Sequence, residues 1–230
     1  MLEKMVVSID NKEGGAIRFI KDYLMYSNID YQFGIDKIRA AFRFEAEDTI
    51  ARDIVAETIL FFYKYKELAK TLNKCSLQNM CFYAYIGALL SIDFLQEKEQ
   101  LTEDMRRLGD SICVNGFYDF CGGSLRENWK NLAELAYKLY SQCKSEAEAY
   151  ELTSFMLGVE GEGGALIVID NNSGVRLIKN KQPVPTLALF DREEFNIITT
   201  VLCHRPTNII VVKPERLDPA LMKAIHSLGD

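Results

Sequence analysis

Proline is missing from most of the chain. All five prolines, at 183, 185, 206, 214 and 219, fall in the last fifty residues, and the first 182 residues contain none. Proline removes a backbone N–H and clashes with the preceding turn, so the proline-free part is open to long helices. Histidine is scarce too, with only His204 and His226. The six cysteines, at 75, 81, 113, 121, 143 and 203, form no C-x-x-C pair. A metal site needs ligands clustered at short spacing, so no metal is expected. The N-terminal string MLEKMVVSIDNKEGG has no apolar core of signal-peptide length. A cytoplasmic protein with six reduced thiols is the expectation that follows.

Long apolar runs and a basic surplus are also missing. The longest apolar stretch, Met80–Leu95, already contains Asp93 and falls short of the roughly 20 clean residues of a bilayer crossing. Residues 73–162 hold 8 Lys/Arg against 14 Asp/Glu, and residues 163–230 hold 8 against 7. Neither region offers the cationic surface that phosphate backbones require. Nucleic acid and membrane are therefore not expected partners.

What is present reads as an α+β chain in three parts. Residues 1–46 form an N-terminal βαββ unit: KMVVSI is β-branched, Ile17, Ile20 and Leu24 repeat at helical spacing, and Tyr31, Phe33, Ile35 and then Ile38, Ala40, Phe42, Phe44 alternate about a turn at GIDK. Residues 47–158 form a central helical layer. Ile50, Ile54, Phe61, Tyr65, Leu68 and Leu72 line one long helix, and Met80–Leu95 reads as another. Two S-x-x-E strings, Ser124/Glu127 and Ser145/Glu148, read as capping boxes that start two more. Leu125, Trp129, Leu132, Ala136, Leu139 and Cys143 give the first of these an apolar stripe. Residues 159–230 form a C-terminal ββαβα unit, with a hairpin at NNSG, an apolar strand NIIVVK, and a last helix capped by Asp218 with Pro219 in its first position.

The string GVEGEGG, Gly158–Gly164, resembles a phosphate loop but stands in the wrong order. A phosphate loop runs strand–loop–helix, so that the free N–H groups of the helix meet the anion. Here a helix precedes the glycines and a strand follows, and Glu160 and Glu162 add charge of the wrong sign. The stretch is expected to be a C-cap and joint, and no nucleotide or other cofactor is expected. Strand, loop and helix occur in the right order once, at IIVVKPERLDPALMKAI, where Lys213 and Arg216 could hold an anion. Asp218 already occupies that cap, however, and Pro219 removes a donor.

Few residues qualify as catalytic. His204 and His226 sit at the C-terminal ends of expected helices, where a cation complements the dipole. Glu97, Glu99, Glu193 and Glu194 fall in helix first turns or on solvated faces. Cys121, just before the expected Ser124 cap, is the one candidate reactive thiol, because a helix N-terminus lowers a thiol pKa. A buried, inert thiol is the alternative. No catalytic, metal or cofactor residues are assigned, and no enzymatic activity is expected.

Several strings resemble the YtxC family of sporulation proteins of endospore-forming Firmicutes. They are NGFYDF with LRENW, SEAEAYELTSFM, ALIVIDNNSGVRLI and FNIITTVLCHRPTNIIVVKP. Family members carry a basic F-R-x-K string where this chain has Phe120-Cys121-Gly122-Gly123, and they continue past the last helix to a further strand. The resemblance implies a cytoplasmic protein linked to sporulation and carries over no functional residues. With this chain ending at Asp230, one sheet edge is expected to stand open along Ile209, Ile210, Val211 and Val212. A homodimer or a partner strand would complete it, unless the final helix or a neighbouring loop covers it. The expected role is a non-enzymatic protein-interaction module. The alternative is a ligand-binding protein or enzyme using the loops near Cys121 and Lys213–Arg216.

Overall fold

The computed structural model describes residues 2–76, 78–158 and 165–229. The fold is α+β, with two separate four-stranded mixed sheets. Two compact units divide the chain differently from the three sequence parts. The first holds residues 1–68 and 93–131, and the second holds 69–92 and 132–230, so the helical part is shared between them.

In the first unit, strand β1 (Glu3–Asp10), helix α1 (Gly14–Tyr26) and strands β2 (Tyr31–Ile35) and β3 (Arg39–Ala46) form the expected βαββ motif. Alternation decides which face is buried: Met5, Val7 and Ile9 of β1 point inward, as do Ala40, Phe42, Phe44 and Ala46 of the antiparallel β3. Ile38 does not extend this alternation. It lies exposed in a turn held by Asp36, whose carboxylate accepts the N–H groups of Ile38 and Arg39, both at 2.7 Å. A short strand that the alternation does not announce, β4 (Ser111–Cys113), adds parallel to β1 and completes the order β2-β3-β1-β4.

The long helix after β3 is continuous but not uniform. It runs as α2 (Asp48–Thr58), a π-helical turn at Ile59–Tyr63, and α3 (Lys64–Leu72). All five residues of the turn, ILFFY, are buried, because the wider π-turn brings every one of these large side chains inward. Lys64, immediately after it, is fully buried. Its Nζ donates to Glu97 Oε2 at 2.7 Å, and Trp129 Nε1 donates to Glu97 Oε1 at 2.6 Å. Glu97 belongs to α5 (Phe94–Met105) and is a core residue, not the solvated carboxylate its surroundings in the sequence suggest. Burial raises its carboxyl above the usual range, opposed by the Lys64 charge and by the bonds from Lys64 and Trp129.

Helix α6 (Val114–Cys121) passes with only Gly122 between into α7 (Gly123–Tyr140). A Cβ on Gly122 would lie 2.5 Å from the Tyr118 carbonyl oxygen, so the junction requires glycine. Ser124 therefore lies inside α7 and is not its cap. The buried stripe of α7 is Leu125, Trp129, Ala133, Ala136 and Tyr140, while Leu139 is exposed.

The second unit contains α4 (Met80–Ser91), shorter than the expected 80–95 helix. Ile92 is extended and Asp93 is left-handed at φ 55°, so a new helix starts at Phe94. Apart from Tyr83, every residue of α4 is buried. Helices α8 (Glu146–Gly158), α9 (Glu193–Cys203) and α10 (Pro219–Gly229) pack against it. Gly87 makes the closest approach possible, since a Cβ there would meet the Thr199 carbonyl oxygen of α9 at 2.6 Å. The Ser145 box forms: Ser145 Oγ accepts the Glu148 N–H at 3.2 Å, while the Glu148 carboxylate reaches one residue further back, to the Lys144 N–H at 2.7 Å.

The second sheet has the order β7-β6-β5-β8, with β5 (Ala165–Asp170), β6 (Arg176–Lys179), β7 (Gln182–Val184) and β8 (Pro206–Val212). The short β7, made of Gln-Pro-Val, is one strand more than the sequence pattern suggests. Helix α8 ends at Gly158 and β5 begins at Ala165, so the helix-then-strand order stands; the joint itself, residues 159–164, lies outside the described residues. Asp218 caps α10 as expected, accepting the N–H groups of Ala220 and Leu221 at 2.9 and 3.2 Å.

Two substitutions probe these cores. Glu97→Ala breaks the buried Lys64–Glu97 ion pair and removes the acceptor of the Trp129 N–H, and is expected to cost about 3–5 kcal/mol in urea unfolding. Lys64→Met combined with Glu97→Gln keeps an acceptor for Trp129 without a buried charge, and is expected to recover most of that loss. Gly87→Ala overpacks the α4–α9 contact and is expected to cost about 1–3 kcal/mol by the same assay.

Candidate functional site

The residues with the strongest claim to a site are those of β8. It pairs in parallel with β5, with Ile209 beside Ile167, Ile210 beside Val168, and Val211 beside Ile169. No described residue pairs with its other edge. Four consecutive apolar residues suggest a strand covered on both faces, yet none of Ile209, Ile210, Val211 and Val212 is fully buried, and Ile210 is 46% exposed. The cause is position. Ile167 and Ile169 of the interior strand β5 are fully covered, whereas Ile209 and Val211 beside them have a neighbour strand on one side only.

The outer face of the same sheet is apolar as well. Ala165, Ile167 and Ile169 of β5 and Leu177 of β6 point inward. The alternate set, Leu166 (37% exposed), Val168, Ile178 and Ile210, faces outward. Val168 pairs with Ile178 on one side and Ile210 on the other, so the set forms a strip across three strands. Sequence reasoning misses Leu166 and Val168 because ALIVI is apolar at every position and hides the alternation, and Ile178 because it stands beside the equally apolar Leu177 in RLIK.

Cations bracket β8. Arg205 before it and Lys213 after it both adopt left-handed backbone, with φ 49° and 53°, which turns the chain sharply at each end. The Arg205 guanidinium donates to the Leu157 carbonyl at 2.8 Å, and Lys213 is exposed. The Lys213–Arg216 loop is not arranged as an anion cradle. Arg216 donates to the Asn172 carbonyl at 3.0 Å, and Asp218 fills the start of α10.

Cys121 lies elsewhere, in the first unit. It is the last residue of α6, where the helix dipole is negative, and only Gly122 separates it from the start of α7. Burial, and then the Asp104 charge, push its thiol up from the ordinary value, the opposite of the lowering that a helix N-terminus would bring. It does line an open cleft of about 500 Å³, together with Cys113, Phe117, Phe120, Asp104 and Arg107 among others. Phe120 on its rim is 91% exposed.

All six cysteines are free thiols. Cys75, Cys81 and Cys143 bear on the phenol of Tyr140, whose hydroxyl lies 3.3 Å from Cys81 Sγ. Among the described residues no group of three or more His, Cys, Asp or Glu side chains is placed to hold a metal ion. Nor is any helix long and apolar enough to cross a membrane. No family model, no curated protein and no solved structure matches the chain. The resemblance to the YtxC family therefore rests on the strings quoted above.

His204 corrects a further expectation. It follows α9 directly, as the spacing predicts, but not as a cation answering the helix dipole. Burial first, and the Lys179 charge second, push its imidazole down to about 3, so it is neutral. The unfolded chain takes up this proton below the ordinary value of 6.5. The contribution of His204 to stability is thus complete above pH 6.5 and is lost as the pH falls towards 3. His204→Gln is expected to flatten this limb, removing roughly 1–2 kcal/mol of the stability change between pH 7 and pH 5 in urea titrations.

Proposed function

We propose that the chain is a non-enzymatic protein-interaction module that takes up an extended segment of another protein along the outer edge of β8. The observation that carries this reading is an edge strand without a single charged residue, PTNIIVV, bordering an exposed apolar strip. Native edges of this kind are ordinarily blunted by charge, bulge or cover, because unpaired N–H and C=O groups recruit further strands. Addition of a strand would satisfy those groups, and the side chains alternating along it would cover Ile210 and Val168 on one face.

The charges bracketing β8 favour a different chain over a second copy. In an antiparallel pair centred on Ile209, Arg205 of one copy stands opposite Lys213 of the other, and like charges directly opposite destabilise a sheet. A partner segment that is apolar in the middle and acidic where it passes the exposed Lys213 meets that cation favourably. A role in sporulation is part of this proposal through the resemblance to the YtxC family.

Fluorescence anisotropy with a labelled peptide, five alternating Val and Ile residues between Asp pairs, tests the reading. Saturable binding that weakens with salt is expected, and Lys in place of the Asp pairs is expected to abolish it. Ile210→Lys is expected to weaken binding by about tenfold or more, equivalent to about 1.4 kcal/mol. Light scattering at micromolar concentration provides the other arm. A stable dimer that Ile210→Lys dissociates would replace the partner segment with a second copy.

A further inference from the structure

The strand–loop–helix order that suits a ligand also occurs at the start of the chain, inside the βαββ unit. β1 ends at Asp10, and the chain passes through Asn11, Lys12 and Glu13 into α1 at Gly14 and Gly15. Beside it, the parallel strand β4 leads directly into α6. The carboxyl ends of two neighbouring parallel strands thus open onto two helix N-termini, the place where open α/β sheets receive ligands. The side chains of Glu13 and Cys113, at the N-caps of α1 and α6, make no capping bond. Glu13 is ion-paired with Lys66 instead. Asn115 Oδ1 accepts the Asp10 N–H at 2.7 Å and fixes the two strand ends together.

An independent observation lies over this corner. Tyr63, the last residue of the π-helical turn, is only 6% exposed, and among the described residues its hydroxyl has no hydrogen-bond partner. Its ring is held by Tyr118, with centroids 4.6 Å apart, and by the Lys66 ammonium 5.0 Å from its centre. The charged and polar groups that bear on the hydroxyl are Glu13, Asp119, Cys113 and Asp10, which are the loop before α1, the start of α6 and its outer face. Lys66 neutralises Glu13, and Arg126 neutralises Asp119 at 3.0 Å. Asp10 has no ion-pair partner among the described residues. Gly14 is exposed, and a Cβ there would meet nothing within 4 Å, so packing gives no reason for a glycine at the first helical position. A π-turn within a helix recurs at functional sites because it re-aims a side chain at a modest cost in backbone geometry.

We propose that this corner binds the head group of a small zwitterion of the α-amino acid class. The carboxylate takes the Tyr63 O–H and the free N–H groups of Gly14, Gly15 and Ala16, and the ammonium group sits against Asp10. The mixed chemistry decides the class. An anion alone meets the unneutralised Asp10, and a cation alone meets two positive helix ends, whereas a zwitterion satisfies both.

Titration of the ¹⁵N-labelled full chain, followed by NMR, tests this with four probes: glycine, acetate, methylamine and inorganic phosphate. Glycine is expected to shift the amides of Gly14, Gly15 and Ala16 saturably, with acetate and methylamine each weaker by about tenfold or more. Tyr63→Phe keeps the ring contacts, and Asp10→Asn keeps the shape. Each variant, once its thermal transition matches the parent, is expected to weaken glycine by about tenfold. Tighter binding of phosphate than of glycine overturns the assignment of the class. Absence of shifts at these amides, or unchanged glycine affinity in Tyr63→Phe, overturns the site and leaves the hydroxyl to a buried water.

Discussion

A helix that is apolar on every side has to be enclosed on every side, and the second unit is built around that constraint. α4 carries MCFYAYIGALLS, and only Tyr83 among its residues escapes burial. Enclosing it engages α8, α9 and α10, and the approach of α9 is close enough that position 87 admits only glycine. The polar groups that come in with α9 are used locally. Thr199 Oγ1 donates to the Tyr83 carbonyl, and Asn196 holds both the N–H groups of Leu189 and Phe190 and the Phe190 carbonyl. While α8, α9 and α10 pack against α4, the outward set Leu166, Val168, Ile178 and Ile210 is left only partly covered by the described residues.

The first unit meets a different constraint, that of placing an ionised lysine in a core. Removing a charge from water is costly unless pairing and hydrogen bonds replace the lost hydration. Glu97 and Trp129 supply them, tying three helices, α3, α5 and α7, at one point. The π-turn that precedes Lys64 also sets the direction of Tyr63, so one local departure from α-helical geometry serves both the buried pair and the corner at β1 and β4.

Much of this organisation was legible in the sequence where local chemistry is strong. The βαββ start, the NNSG hairpin, the Ser145 box and the Asp218 cap all stand in the structure, because alternation, turn residues and side-chain caps act within a few residues. What was hidden depends on distant partners. Three residues, Ser111–Cys113, become a strand only because β1 offers an edge. Glu97 looks solvated beside Lys98 and Glu99, yet it is buried because Lys64 and Trp129 come to it from 33 and 32 residues away. His204 was placed correctly and charged wrongly, since its neutrality comes from burial and from Lys179. The edge at Ile209–Val212 was visible as a hydrophobic run, but its open side follows from the strand order and not from composition.

Native-state hydrogen exchange along Thr207–Val212 tests the central claim most directly, because in an edge strand alternate amides point away from the sheet. The account predicts that alternate amides of β8 exchange rapidly in the isolated chain, interleaved with slow ones bonded to β5, and that the fast set becomes protected when the acidic-flanked apolar peptide is added. Uniform protection of β8 in the isolated chain at low micromolar concentration would show that the edge is already covered, and would contradict it.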